Sequence, residues 1–112
     1  MSTLRLFVYG TLQPGGPNEH ILAPLNGHWM PAYVRGVLHE QGWGAAQGYP
    51  GLVLTTSGTP IHGQVITSAQ LKSCWESLDH FEGDEYERQV THAFLRDGST
   101  VTAFVYALRA AA

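Results

Sequence analysis

A chain of 112 residues that is 44% apolar and only 13% charged has the size of one domain with a real core, burying roughly 60 to 68% of the surface its unfolded form exposes; this excludes a disordered segment or a highly charged coiled coil. One lysine and five arginines against nine acids give a formal charge of −3, which supplies no basic stripe for phosphates and argues against a nucleic-acid partner. The single cysteine, Cys74, excludes an internal disulfide framework, and without a leader-like start or a run of about 18 apolar residues the chain is expected to be cytoplasmic, with no membrane partner.

Residues 4–9, LRLFVY, set Leu4, Leu6 and Val8 on one face and Arg5, Phe7 and Tyr9 on the other. Both faces are mainly apolar, so this strand belongs at the centre of a sheet. It runs into a glycine- and proline-rich loop within FVYGTLQPGG, residues 7–16. Pro17 and Asn18 then read as a helix start, with Asn18 as N-cap of a short helix to about Leu22 that Pro24 ends. Residues 28–39 form a long strand in which Pro31 and Gly36 predict a bend or bulge, as small barrels require. GLVLT (51–55) and IHGQVIT (61–67) are two further strands, joined by a turn over Ser57 to Pro60.

The strongest helix signal follows. Thr67 is the expected N-cap with Gln70 as its capping-box partner. Leu71, Cys74, Trp75, Leu78 and Phe81 make one apolar stripe, and Gly83 is the natural stop. Strands near 86–95 and 99–108 close the chain through an Asp97-Gly98 hairpin. Six strands and two short helices, with mostly antiparallel neighbours and bends, predict the α+β class: a small mixed β-barrel forming one domain over residues 1–112.

Two roles fit Gly10, Thr11 and Leu12. Glycine at a strand end lets successive amides converge into a nest for a carboxylate or phosphate, or it simply makes a turn. A nucleotide phosphate loop is excluded, because Gly16 stands where that motif needs lysine. Two roles also fit Glu82. In a helix that reaches residue 82 it lies about 20° from Leu71 and Trp75 around the axis, hence inward, at a C-terminus where the macrodipole disfavours negative charge. Burial and dipole would both raise its pKa and prepare it for proton transfer near neutral pH. In a helix that frays after Phe81 it is one of several solvated acids with Asp84, Glu85 and Glu87.

The histidines (20, 28, 39, 62, 80, 92) form no H-x-H or H-E-x-x-H pair, so no metal site is expected. Cys74 reads as a small core residue. Tyr9, Tyr86 and Tyr106 either line a pocket or pack in the core with one polar tip. Arg88 shares a strand face with Tyr86 and Val90, and either pairs with Glu82 or Asp79 or meets a substrate.

Together, FVYGTL at 7–12 and LDHFEGDEYER at 78–88 resemble the gamma-glutamylcyclotransferase-like family, which includes gamma-glutamylamine cyclotransferases and AIG2-type bacterial relatives. The similarity runs along nearly the whole chain: a first strand ending Y-G-[ST]-L, a Tyr49-Pro50-Gly51 segment, a helix ending L-D-x-x-E-G, a Y-x-R and a final aromatic strand. It implies a small mixed barrel whose cavity holds a gamma-glutamyl group. By position Gly10, Thr11 and Leu12 would bind the α-carboxylate region beside Tyr9, Glu82 would act as acid and base, and Tyr86, Arg88 and Tyr106 would contact substrate. Phe104-Val105-Tyr106 departs from the family pattern, which commonly carries tryptophan two residues before the tyrosine.

The implied reaction is an attack by the substrate's own α-amine on its γ-carbonyl, which needs no enzyme nucleophile, metal or cofactor. The expected function is therefore release of 5-oxoproline and a free amine from a small gamma-glutamyl substrate, by an amine-releasing lyase or acyltransferase. A non-catalytic module sensing a small carboxylate in the same pocket is the alternative, and a protein-interaction domain a third. The sequence leaves the released amine and the oligomeric state open.

Overall fold

The computed structural model describes residues 4–10, 12–39 and 51–108. Six strands run in chain order: β1 (Arg5–Val8), β2 (His28–His39), β3 (Gly51–Leu54), β4 (Thr59–Thr67), β5 (Tyr86–Leu95) and β6 (Thr100–Leu108). One α-helix, α1 (Trp75–Glu82), lies between β4 and β5, and short 3-10 segments occupy Glu19–Ile21, Ala23–Leu25 and Ala69–Ser73. The strand order is β3-β2-β4-β1-β6-β5, and β2 also pairs with β5. That last pairing closes five strands into a barrel and leaves β3 outside the ring, the α+β barrel expected from the sequence. β1 is central, antiparallel to β4 and parallel to β6.

β2 explains how the barrel is both closed and extended. Ala32 pairs with Gly63 of β4 and with Leu95 of β5, whereas Gly36 pairs with Thr59 of β4 and with Leu54 of β3. β5 and β3 therefore share one edge of β2, the first meeting it at Ala32 and Tyr33 and the second from Gly36 onward. Between them lies a cavity of about 620 Å³, lined by Leu54 and Thr55 on one side, Val90, Thr91 and Phe94 on the other, and Arg35. Glycine at 36 is required by close approach: a Cβ there would lie 2.5 Å from the Val53 carbonyl oxygen and 2.6 Å from Leu52 Cδ1. Gly36→Ala is expected to cost about 1–3 kcal/mol, read as a lowered melting temperature.

The alternation in β1 splits the core in two. Phe7 faces the barrel interior with Val34, Val65, Ala93, Ala103 and Val105. Leu6 and Val8 face outward, where Leu22, Leu25, Leu71, Leu78 and Tyr106 cover them. Leu71 and Leu78 are the buried centre of the predicted helical stripe, with Cys74, Trp75 and Phe81 packed around them.

The helical segments depart from expectation at four points. Thr67 stays in the sheet, paired with Arg5 and His28, so the cap passes to Ser68. Its Oγ accepts the Gln70 amide at 3.2 Å and donates to the Leu25 carbonyl at 3.2 Å. The single predicted helix is a 3-10 turn followed, after Cys74, by α1. Near the N-terminus, Asn18 precedes a 3-10 turn without capping it by its side chain. Pro24 does not end the segment but sits early in a second turn, which Asn26 ends in the left-handed region at φ 49°. Gly83 closes α1 at φ 88° and Gly98 turns the last hairpin at φ 89°, both as the sequence predicts. Among the described residues no helix is long and apolar enough to cross a membrane.

Candidate functional site

Glu82 is the last residue of α1. The helix does not fray at Phe81: Gly83 N–H donates to the Asp79 carbonyl at 3.2 Å and Tyr86 N–H to the Gly83 carbonyl at 3.3 Å. With Leu78 of the same helix buried in the outer core, the Glu82 side chain is drawn out of bulk water. Burial pushes its carboxyl up from 4.5 to about 7, because the low-dielectric surroundings penalise the charged form. Its charge in turn adds to the upward shifts of the Tyr9 and Tyr106 hydroxyls, each caused first by burial. Glu82 thus stands within electrostatic reach of both tyrosines.

Tyr9 leaves the end of β1 with its hydroxyl committed to backbone. It donates to the Tyr106 carbonyl at 2.9 Å and accepts the Leu52 amide at 3.1 Å. It therefore ties β1, β6 and β3 together beneath the opening loop. Gly10 follows, and Gln13 closes the turn by donating its amide and its Nε2 to the Gly10 carbonyl at 3.3 and 3.4 Å. Only Gly15, Gly83 and Gly98 among the described glycines have a left-handed φ, so the turn at Gly10 does not demand glycine conformationally. A Cβ at Gly10 would meet nothing within 4 Å. What glycine provides there is open space. Leu12 buries its side chain in the outer core and anchors the loop, while Thr11 and the Tyr49-Pro50 pair lie outside the described residues.

Tyr86, Arg88 and Tyr106 occupy the outer side of the barrel wall beneath α1. Tyr86 is buried in the outer core and its charge contributes to the Tyr9 shift. Arg88 lies opposite Tyr106 in the β5–β6 register. Its guanidinium sits 4.7 Å from the Trp75 ring centre and 5.4 Å from that of Phe104, two rings that meet edge-on at 5.1 Å. Of the acids open to it, Arg88 takes Asp79: Nη1 is 3.3 Å from Oδ1, an ion pair without the alignment of a hydrogen bond. The same Oδ1 accepts the Tyr106 hydroxyl at 2.6 Å.

Sequence reasoning missed Trp75, Leu52 and the Asp79–Tyr106 bond as parts of this region. Asp79 carried a signal, since it precedes Glu82 by three residues and so shares its helix face. The Leu52 amide carried none. Among the described residues no group of three or more His, Cys, Asp or Glu stands together as a metal site would require.

The family profile described as "Gamma-glutamyl cyclotransferase, AIG2-like" matches residues 6–112. No curated protein matches the sequence. Among solved structures, YkqA from Bacillus subtilis is 29% identical with a TM-score of 0.71, the match covering 94% of this chain and 35% of that one. The chain thus spans about a third of the length of that relative. An aig2-like protein from Mus musculus is 24% identical with a TM-score of 0.74, covering 97% of this chain and 79% of that one. A structure described as a gamma-glutamyl cyclotransferase is 18% identical with a TM-score of 0.68, covering 95% and 66%. The last two likenesses are of fold.

Proposed function

Because the chain belongs to the gamma-glutamyl cyclotransferase, AIG2-like family, we propose that it cyclises the gamma-glutamyl group of an amine or amino-acid conjugate, releasing 5-oxoproline and the free amine. One observation carries this reading: a half-buried acid with its carboxyl at about 7 ends α1 within electrostatic reach of Tyr9, the residue that leads into the Gly10 loop.

The substrate supplies its own nucleophile. Its α-amine attacks the γ-carbonyl carbon, a new C–N bond closes a five-membered lactam, and the bond from that carbon to the departing nitrogen breaks. Orientation is then most of the task, since holding both reacting groups in place is worth up to roughly 7–11 kcal/mol of barrier. The loop opening at Gly10 takes the α-carboxylate end. Glu82, ionised, removes a proton from the α-ammonium so that the amine can attack, and returns one to the departing nitrogen. The second proton lost by the attacking nitrogen leaves with the product amine in water, so charge balances. An acid near 7 is half ionised at neutral pH, which suits both proton steps.

Incubating the protein with a panel of gamma-glutamyl amines and gamma-glutamyl amino acids, with 5-oxoproline followed by chromatography, tests the reading. Wild type should turn over at least one conjugate. Saturable binding without any 5-oxoproline would instead make the protein a carboxylate sensor.

Gly10 offers a sharper test of where the substrate lies. A methyl group there meets no protein atom within 4 Å, so Gly10→Ala should leave the melting temperature within about 2 °C, as surface changes do. It should nevertheless raise KM about tenfold or more by filling the space the ligand uses. An unchanged KM would place the substrate elsewhere.

A further inference from the structure

Tyr106 is bonded in two directions. Its hydroxyl reaches up to Asp79 on α1 at 2.6 Å, and its backbone carbonyl accepts the Tyr9 hydroxyl at 2.9 Å. Asp79 lies one helical turn before Glu82, and Tyr9 lies one residue before Gly10. One hydrogen-bonded connection from α1 to the residue that leads into the Gly10 loop therefore runs through Tyr106. α1 has eight residues, barely two turns, and a helix that short has little stability of its own. Leu78 and Phe81 pack it against the outer core, and the Asp79–Tyr106 bond adds a directional anchor one turn before Glu82.

Asp79 by itself would be a poor anchor, because its side chain is 48% exposed and a solvated carboxylate moves freely. Arg88 supplies the fixed point. Its planar guanidinium is held against the rings of Trp75 and Phe104, and it faces the same carboxylate oxygen that Tyr106 uses. The requirement is for arginine rather than lysine, since an ammonium lacks the flat face that stacks on an aromatic ring.

We infer that Tyr106 and Asp79 are positioning residues that set Glu82 against the Tyr9–Gly10 floor, with Arg88 seated against the rings of Trp75 and Phe104 to hold Asp79 in place. This rests on Glu82 being the proton-transfer group. In the cyclotransferase reaction the three residues then act on the step that Glu82 performs and not on substrate capture. They touch no reacting atom. Their loss lets the end of α1 swing toward water while the loop at Gly10 keeps its shape.

Tyr106→Phe tests this without altering charge, and its backbone carbonyl still accepts from Tyr9. Turnover should fall about ten- to a hundredfold in kcat, as misplacing a reacting group does, with KM changed less than about threefold. Carboxyl-carbon NMR with labelled glutamate gives a second readout independent of substrate. The Glu82 midpoint, near 7 in wild type, should drop toward the ordinary carboxylate range as the side chain gains water. Burial is the cause of that raised midpoint, and the ionisable groups near the end of α1, Tyr9 and the Asp79–Arg88 pair, keep their charge in this variant.

Arg88→Lys, also charge-conserving, should shift both readouts in the same direction and by less, and it serves in place of Tyr106→Phe if that variant melts below assay temperature. A Glu82 midpoint that stays put in these variants overturns the positioning role whatever kcat does. A wild type that produces no 5-oxoproline overturns the cyclotransferase reading alone, and the titration then still decides whether Tyr106 sets the position of Glu82.

Discussion

Glu82→Gln is expected to abolish 5-oxoproline formation, by about 10²- to 10⁴-fold in kcat, while retaining binding of the gamma-glutamyl compound measured by calorimetry. In the wild type kcat/KM should rise with pH through a midpoint near 7 as the carboxyl ionises, and the residual activity of the variant should lack that limb. The same substitution should make the protein more stable at alkaline pH. The folded carboxyl has a raised pKa, so between 4.5 and about 7 the native state holds a proton that the unfolded state has released. The stability of the wild type therefore falls as pH climbs through that window, by on the order of 3 kcal/mol once it is crossed. The amide of the variant never ionises and escapes the loss. Melting temperatures should coincide at pH 4.5 and separate in favour of the variant by about 10 °C at pH 8.5. Equal melting temperatures at pH 8.5 would mean the carboxyl is already solvated, and the proton-transfer role would fall with it.

Tyr9→Phe is expected to be among the most damaging conservative changes in the molecule. The ring can remain, stacked near Phe7 at 6.3 Å, but the hydroxyl that accepts the Leu52 amide and donates to the Tyr106 carbonyl is gone. Leu52 is fully buried, so its amide is left without a partner. The cost should be about 2–3 kcal/mol, a fall in melting temperature on the order of 10 °C. Under the proposed function turnover should drop as well, because Tyr9 leads into the Gly10 loop. A stability change under about 0.5 kcal/mol in chemical denaturation would show that water replaces the hydroxyl and that β3 does not depend on it.

The strands were legible from apolar or alternating runs set between turn residues: β2 spans His28–His39 and β5 spans Tyr86–Leu95, the limits the sequence predicts. The inward direction of Glu82 was legible for a similar reason, since its angle to Leu71 and Trp75 follows from helical geometry. What the pattern could not supply was register. Arg88 and Tyr106 were both visible as strand residues, but that they face each other and converge on Asp79 depends on how β5 slides along β6. The choice between Thr67 and Ser68 as cap was decided by the sheet, which kept Thr67 for its ladder and passed the cap onward. Gly10 was legible as the residue at which the first strand turns into its loop. Its backbone is not left-handed, and a Cβ there would meet nothing within 4 Å, an openness no local pattern reports. The bond from the Leu52 amide to Tyr9 joins residues far apart in the chain and has no sequence signature.

The closure of the barrel is uneven. β2 lies along β4 from His28 to Gly36, yet among the described residues it meets β5 only at Ala32 and Tyr33. Among the described residues β1 and β6 are joined as briefly, pairing only at Leu6–Phe104 and Phe7–Val105, and such short ladders are where local opening costs least. The Tyr9 hydroxyl, which donates to the Tyr106 carbonyl, adds a side-chain bond across the β1–β6 join, and Tyr33 stacked on Phe94 at 5.0 Å adds a ring contact across the β2–β5 join. Each short backbone ladder of the ring is thereby backed by an aromatic side chain that reaches across it.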